Sequence, residues 1–299
     1  MSGSDIAGAL RAFGCTVKEA EPMSAHTSFK IGGAAEYFVS TTDIIQAALI
    51  LRYCSENQIP LLVMGNGSNL LVSDSGIDGV VLHIDASTID VEGTRMTVQA
   101  GTSLIRTCLA ACEHGLSGLE FAYGIPGTMG GGVYMNAGAY GGQLSDVVRS
   151  VTALTARGEV VELTAEQLAF GYRHSVLMEQ PLTVWSVTME LKPDDPALIR
   201  SRMEEHMAAR KAKQPLEYPS GGSFFKRPEG HFAGALIEQC GLKGFAVGGA
   251  QVSEKHAGFV INRGGATCAD VMALCRQVQE QVKAKFDVSL EREVQLVGR

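Results

Sequence analysis

Two glycine-rich stretches limit what this chain can fold into more than any other feature: Gly65-Asn66-Gly67-Ser68-Asn69, and a longer run from Gly124 to Gly142. The longer run reads Gly124-Ile125-Pro126-Gly127-Thr128-Met129-Gly130-Gly131-Gly132, then Asn136-Ala137-Gly138-Ala139-Tyr140-Gly141-Gly142. The 299 residues hold 35 glycines, an excess over the usual roughly seven per hundred. Glycine belongs where backbone turns sharply or approaches another group closely. The first stretch follows the apolar run Leu61-Leu62-Val63-Met64. Small residues there let successive N–H groups converge on an anion, and Ser68 and Asn69 add side-chain donors. A tight turn between strands explains GNGSN equally well. In the second stretch, a helix beginning near Thr128 is expected to present free N–H groups to a phosphate. Adjacent glycines in a helix each cost roughly 0.5–1 kcal/mol relative to alanine, so their retention points to a ligand or a second backbone packed too closely for a β-carbon. Tyr134, Met135 and Tyr140, interleaved with the glycines, argue against a merely flexible loop.

The common nucleotide motifs are absent. GNGSNL lacks the third glycine and the long following helix of the dinucleotide fingerprint. There is no G-x₄-G-K-[ST], and none of Ser68, Ser103, Ser117 or Ser223 sits in the G-x-S-x-G of a nucleophile elbow. The net charge of −7 leaves no basic excess for nucleic acid or an anionic membrane. Asp5 and Arg11 fall where a signal peptide needs its apolar core, and no apolar run approaches the roughly 20 residues of a membrane span. A cytoplasmic protein without membrane insertion is expected. The seven cysteines form no C-x-x-C pair, and Cys108 and Cys112 read as core thiols on a helix. The histidines form no zinc pattern, so no metal is expected.

Along the chain, short β-type runs (Tyr37–Val39, Leu61–Val63, Val80–Ile84, Met96–Ala100, Val184–Leu191) alternate irregularly with helical patterns over Asp43–Glu56 and Ser103–His114. Val151–Leu163 reads as a hairpin turning at Arg157-Gly158. This pattern predicts an α+β fold rather than a regular βαβ array. After the breaker cluster Pro193-Asp194-Asp195-Pro196 a helix is expected over Ala197–Lys213. Thr267 and Asp270 form a capping-box signature for a helix running to Lys285, and a final strand is expected over Val288–Val297. A boundary near residues 195–210 gives two domains, 1–200 and 201–299. Oligomeric state is not legible.

Several motifs, in order and over nearly the whole chain, resemble those of the UDP-N-acetylenolpyruvoylglucosamine reductase family. They are Thr27-Ser28-Phe29-Lys30-Ile31-Gly32-Gly33, GNGSNLLVSD at 65–74, GLSGLEFAYGIPGTMGGGVYMNAGAYGG at 115–142, and Phe170-Gly171-Tyr172-Arg173-His174-Ser175. PSGGSFFKRPEGHFAG at 219–234, GLKGFAVGGAQVSEKHAGFVIN at 241–262 and Leu290-Glu291-Arg292-Glu293-Val294 complete the set. The resemblance implies an FAD-binding domain of the vanillyl-alcohol-oxidase (PCMH) type in two subdomains, followed by a C-terminal α+β substrate-binding domain. It implies noncovalent FAD held by Gly65, Asn66, Gly67, Ser68, Asn69, Gly124, Ile125, Pro126, Gly127, Thr128, Gly130 and Gly131, with NADPH as hydride donor. The short span between Val184 and Lys213, and Phe-Lys-Arg-Pro at 225–228, are similar to the shorter class, which lacks a tyrosine-bearing insertion.

The implied reaction reduces the enolpyruvyl ether of a UDP-sugar to a lactyl ether in peptidoglycan precursor synthesis. Charge develops beside the carboxylate and must be stabilised, then quenched by a proton. Arg173 suits carboxylate binding because a guanidinium pairs bidentately with it, although an isolated arginine reads more simply as a surface ion pair. Ser223 is the implied proton donor, with Lys226 and Arg227 expected to supply positive surroundings; alone it reads as a turn serine. In L-E-R-E-V, strand alternation places Glu291 and Glu293 on one face and does not choose between them; the resemblance selects Glu293, expected to act in neutral form. Lys213 and Arg227 are implied diphosphate partners. His256 reads as a substrate contact or, equally, as a structural histidine. An oxidase of sugars or alcohols on the same flavin fold is the alternative reading, and a flavin-binding protein without catalysis is a further one.

Overall fold

The computed structural model describes residues 3–299, which divide into two compact units, each discontinuous in sequence. The first comprises residues 3–19, 37–66 and 79–209; the second comprises 20–36, 67–78 and 210–299. Both mix helices and mostly antiparallel strands, which is the expected α+β class.

In the first unit, α1 (Gly3–Ala12), α2 (Ile44–Glu56), α3 (Leu104–Glu113), the short α4 (Met129–Tyr134) and most of α5 (Pro196–Lys213) accompany two larger sheets and two short strand pairs. One sheet has strand order Val17–Pro22, Ala34–Thr41, Ile77–Ile84, Leu61–Met64, of which residues 17–19, 37–41, 79–84 and 61–64 fall in this unit. The other orders Val160–Thr164, Val148–Thr155, Leu182–Glu190, Arg95–Gln99 and Ile89–Glu92, all antiparallel. The predicted helix starts match real caps: Asp43 accepts from Ile45 N and Ser103 from Arg106 N, satisfying donors that a helix start leaves open. The predicted hairpin turns at Gly158, where φ is +76° and a β-carbon would run into the Ala48 backbone of α2. Ile50, Leu82, Met96, Val98, Leu104, Met129 and Val187 form the centre of the core. All seven cysteines are free. Burial pushes the Cys108 thiol well above its ordinary value.

The second unit holds α6 (Ala233–Gln239) and α7 (Cys268–Phe286) beside a sheet ordered Ser220–Ser223, Phe259–Asn262, Ala250–Val252, Ala246–Val247. The Thr267–Asp270 capping box is present, and Asp74 adds two bonds to the same end, from Cys268 N at 2.8 Å and Ala269 N at 2.9 Å. The expected final strand is shorter than Val288–Val297: only Gln295–Val297 is strand, paired in parallel with Leu70–Val72. Residues 291–293 instead run along 224–226 through an isolated bridge between Phe225 and Arg292. Alternation over a full strand therefore does not govern Glu291 and Glu293. Phe29, Phe224, Leu274 and Val278 anchor this unit's core.

One buried charge in the first unit escaped the sequence patterns. Glu120, 8% exposed, accepts hydrogen bonds from Gly118 N, Ser117 Oγ and the Arg202 guanidinium of α5, the last at 2.8 Å. Arg202 also reaches Asp194 at 2.5 Å. Burial alone raises the Glu120 pKa, but the bonds from Arg202, the backbone and Ser117 outweigh it and hold the carboxyl below its usual range. A depressed folded pKa gives stability that is complete above the unfolded value, about 4.3, and fades as pH falls through the folded one. Arg202 remains 39% exposed, so solvent screens it, and Glu120→Gln is expected to cost about 2 kcal/mol at pH 7. Urea unfolding should show this gap from wild type narrowing below about pH 4; a gap constant into acid would contradict the assignment.

Candidate functional site

In the first unit the structure brings the two glycine stretches together. Asn66 Nδ2 donates to the Pro126 carbonyl at 3.0 Å. A β-carbon on Gly65 would overlap the Thr128 hydroxyl, well inside van der Waals contact. Thr128 caps α4 by accepting from Gly131 N at 3.4 Å.

The expectation of free N–H groups at this helix start needs correction. Met129 N donates to Thr102 O at 2.8 Å, Gly130 N to Ala100 O at 2.9 Å, and Gly132 N to Thr128 O at 2.8 Å. Those donors are committed to protein carbonyls and do not form a phosphate cradle. The three glycines also separate by role. A β-carbon on Gly130 would lie 2.9 Å from Ala100 Cβ, and one on Gly132 2.9 Å from Leu144 Cδ1, so packing within the protein accounts for both. Gly131 differs. It is exposed, and beyond its own helix and chain neighbours only Thr128 Oγ1, at 3.5 Å, comes within 4 Å of where its β-carbon would stand, so this face is open.

Arg173 also lies in the first unit. Gly171 and His174 bridge each other through N–H to carbonyl bonds of 3.0 and 3.3 Å, and Arg173 occupies the third turn position with φ +53°. Its Nη2 donates to Gly138 O at 2.8 Å and its Nη1 to Asn136 O at 3.5 Å. The guanidinium carbon stands 5.3 Å from the centre of the exposed Tyr172 ring. Nearby, the Tyr140 ring stacks on His206 of α5 at 4.6 Å.

The second unit holds Gly67, Ser68, Asn69, Lys213, Ser223, Arg227, His256 and Glu293. Gly67 has φ +58°, the left-handed conformation expected of this loop. Asn69 Nδ2 donates to Glu293 O at 3.0 Å, and Gln295 N to Asn69 O at 2.9 Å, so Asn69 pins the segment that carries Glu293. Ser223 is exposed at a register shift opposite Phe259, directly after Gly222 with φ +81°. The next residue, Phe224, is fully buried and packs edge-on against Phe29 and Phe225. Its carbonyl accepts from Glu293 N at 2.8 Å. The backbone of Glu293 is thus bonded to the residue that follows Ser223. Glu293 is half-buried, whereas Glu291 is exposed and pairs with Lys226 at 3.0 Å; that pairing engages the Lys226 charge expected to surround Ser223.

Arg227 lies 4.4 Å from the centre of the exposed Phe232 ring, and Lys213 is exposed near the end of α5. The His256 ring packs against Gly234, Gly258 and Phe259, and its Nδ1 accepts from Gly258 N at 3.1 Å. Burial, its largest influence, lowers its pKa. Among the described residues no group of His, Cys, Asp and Glu is arranged to hold a metal ion, and no helix is long and apolar enough to cross a membrane.

The fold, with its close-passing glycine loops, is that of an FAD-binding oxidoreductase: an FAD binding domain model matches residues 35–164. The C-terminal domain model of UDP-N-acetylenolpyruvoylglucosamine reductase matches residues 214–297. The reductase of that name from Listeria monocytogenes is 50% identical over 283 residues, covering 94% of this chain and 95% of that protein. The one from Lactobacillus acidophilus is 46% identical over 293 residues, covering 97% and 98%. The crystal structure of UDP-N-acetylenolpyruvylglucosamine reductase from Thermus caldophilus matches with a TM-score of 0.83 at 36% identity, over 94% of this chain and 99% of that one. A BBE-like protein from Physcomitrella patens, at 17% identity and TM-score 0.51 over 63% of this chain and 44% of its own, shares the fold alone. The chain belongs to the UDP-N-acetylenolpyruvoylglucosamine reductase family and is a flavin-dependent reductase.

The residues present fit FAD. Gly131 offers a face unfilled by protein, and Thr102, whose backbone bonds α4, has a buried hydroxyl that finds no partner. Gly131→Ala should leave the apoprotein as stable or slightly more so, since alanine favours helix, while lowering flavin retention. Gly130→Ala and Gly132→Ala should instead lower the melting temperature. Thermal melts and the flavin-to-protein absorbance ratio separate the two effects, and normal flavin content in Gly131→Ala would show that this open face takes no part in holding flavin.

Proposed function

We propose that the chain reduces UDP-N-acetyl-3-O-(1-carboxyvinyl)-glucosamine to UDP-N-acetylmuramate with NADPH, as a cytoplasmic step of peptidoglycan precursor synthesis. FAD, when bound, supplies the hydride chemistry linking NADPH to the alkene of the substrate. The protein's own task is to hold the carboxylate, stabilise the charge that accumulates beside it and deliver one proton.

Arg173 is assigned the carboxylate. Its guanidinium is directed by the Gly138 and Asn136 carbonyls, so little reorganisation is needed when charge develops. Ser223 Oγ is assigned the proton transfer to the carbon beside the carboxylate. A serine hydroxyl is a weak acid and serves here because a carbanion is a strong base; its exposure lets water restore the proton. Glu293 is assigned a hydrogen bond to the substrate carboxylate in its neutral form, since two carboxylates otherwise repel. The observation that carries this reading is the seating of Ser223 at a register shift directly after Gly222, with the next residue bonded to Glu293.

We assign noncovalent FAD to Gly65–Asn69 and to Gly124, Ile125, Pro126, Gly127, Thr128, Gly130 and Gly131, with Gly130 and Thr128 shaping the loop from behind. Lys213, Arg227 and His256 are assigned to the UDP-sugar. Residues 1–200 serve as the FAD-binding domain and 201–299 as the substrate-binding domain. The net charge of −7 disfavours nucleic acid as a partner.

Anaerobic half-reactions test the assignment. NADPH should bleach the flavin, and the enolpyruvyl substrate should promptly restore its colour. Ser223→Ala should keep its flavin and bleach normally, but restore colour about 10²- to 10⁴-fold more slowly, the usual range for a lost proton donor. Colour that returned only on admitting air, in the wild type, would favour a sugar or alcohol oxidase. Glu293→Gln should change the pH dependence of the second half-reaction; an unchanged profile removes the neutral-acid role.

A further inference from the structure

The proposed chemistry uses only the main-chain carbonyl of Asn136 and gives its side chain no role, although the surroundings of that side chain are unlike those of an ordinary loop asparagine. It follows α4, is 1% exposed, and has φ +44°. Its side-chain capacity is spent inside the protein: Nδ2 donates to Gly171 O at 3.0 Å and to Gln143 Oε1 at 3.3 Å, while Oδ1 accepts from Ser145 N at 3.0 Å. Its own carbonyl accepts from Arg173. One residue therefore grips both the first residue of the Arg173 turn and the guanidinium at its far end.

That grip matters because the turn is strained. The third position of a turn with positive φ ordinarily belongs to glycine or asparagine, and arginine, with its β-carbon, is disfavoured there. Such a conformation persists only where its surroundings over-determine it. The restraints are the Gly171–His174 bridge, the Ser175 Oγ bond to Tyr134 O at 2.7 Å, the Gly138 carbonyl on the guanidinium, and Asn136. Tyr140, at the tip of the neighbouring two-strand hairpin, also has positive φ, at +52°. Strained backbone is thus concentrated where Arg173 is aimed.

We propose that Asn136 is a positioning residue for the reduction step, fixing the Tyr172–Arg173 turn and with it the direction of the Arg173 guanidinium. Asparagine meets both demands at once: it tolerates left-handed φ, and its amide donates to Gly171 while accepting from Ser145. Aspartate keeps the shape and the Ser145 bond but sets an oxygen against the Gly171 carbonyl. The inference rests on Arg173 as the carboxylate ligand, and the experiment separates the two.

Holoenzymes of Asn136→Asp, Asn136→Gly, Arg173→Ala and the two corresponding double variants are compared in both half-reactions. Asn136→Asp should retain flavin and bleach with NADPH within about two-fold of wild type, while substrate-driven return of colour slows by about 10- to 100-fold, as expected for a displaced binding group. Asn136→Gly accepts the backbone angle freely and provides the same measurement should aspartate impair folding. In the Arg173→Ala background, either substitution should add less than about two-fold, because contacting residues that act as one are not additive. Multiplying losses would show that Asn136 acts other than through Arg173, and equal loss of both half-reactions in both variants would show a general structural role; either overturns the proposal. An Arg173→Ala enzyme that restores colour normally would overturn the Arg173 assignment itself, and this inference with it.

Discussion

The passage of residues 100–104 alongside residues 127–132 is the constraint on which the first unit depends. Backbone bonds lace the two segments, Leu104 N to Gly127 O and Met129 N to Thr102 O among them, and Ala100 N continues the lacing to Trp185 O of the five-stranded sheet. The segments can pass this closely only where β-carbons are missing, which places Gly130 against Ala100 and Gly65 against the Thr128 side chain. The approach then orders what lies above it. α4 cannot shift, Gly131 keeps one face clear, and the loop after α4 begins at a fixed point. The position of these glycine loops is set by the packing beneath them.

From that fixed point the chain enters conformations it would not choose alone. Asn136, Tyr140 and Arg173 all carry positive φ, and the Asn136 amide, the buried Ser175 hydroxyl and the Gly138 carbonyl hold Asn136 and the Arg173 turn there. Ser223 follows the same design in the second unit. A glycine with positive φ breaks strand register, and the buried Phe224 beside it prevents the break from relaxing. In both units a rigid apolar neighbour or a saturated amide fixes the presentation of a polar group. This is what preorganisation requires, because a side chain already oriented need not be reoriented as charge develops.

The two acidic candidates near the C-terminus show where pattern reading stops. Alternation assumes a continuous strand, but pairing after Leu290 is confined to one bridge until Gln295. The contrast between exposed Glu291, paired with Lys226, and half-buried Glu293 comes from which neighbour each meets. Glu120 shows the same limit. Nothing local distinguishes it from a surface glutamate, because its partner Arg202 lies 82 residues away.

The sequence by itself determined the α+β class, the helices with their Asp43, Ser103 and Thr267 caps, and the hairpin turning at Gly158. These are local features, governed by hydrogen bonds and steric limits within a few residues, so residue types at short spacing carry them. It also marked both glycine stretches as places of close approach. Which glycines serve packing and which leaves room for a ligand was decided only by the tertiary structure, as were the committed N–H groups at the start of α4 and the grip of Asn136 on the Arg173 turn. Each depends on an atom brought in from a distant part of the chain, and residue spacing holds no record of what packs across the gap.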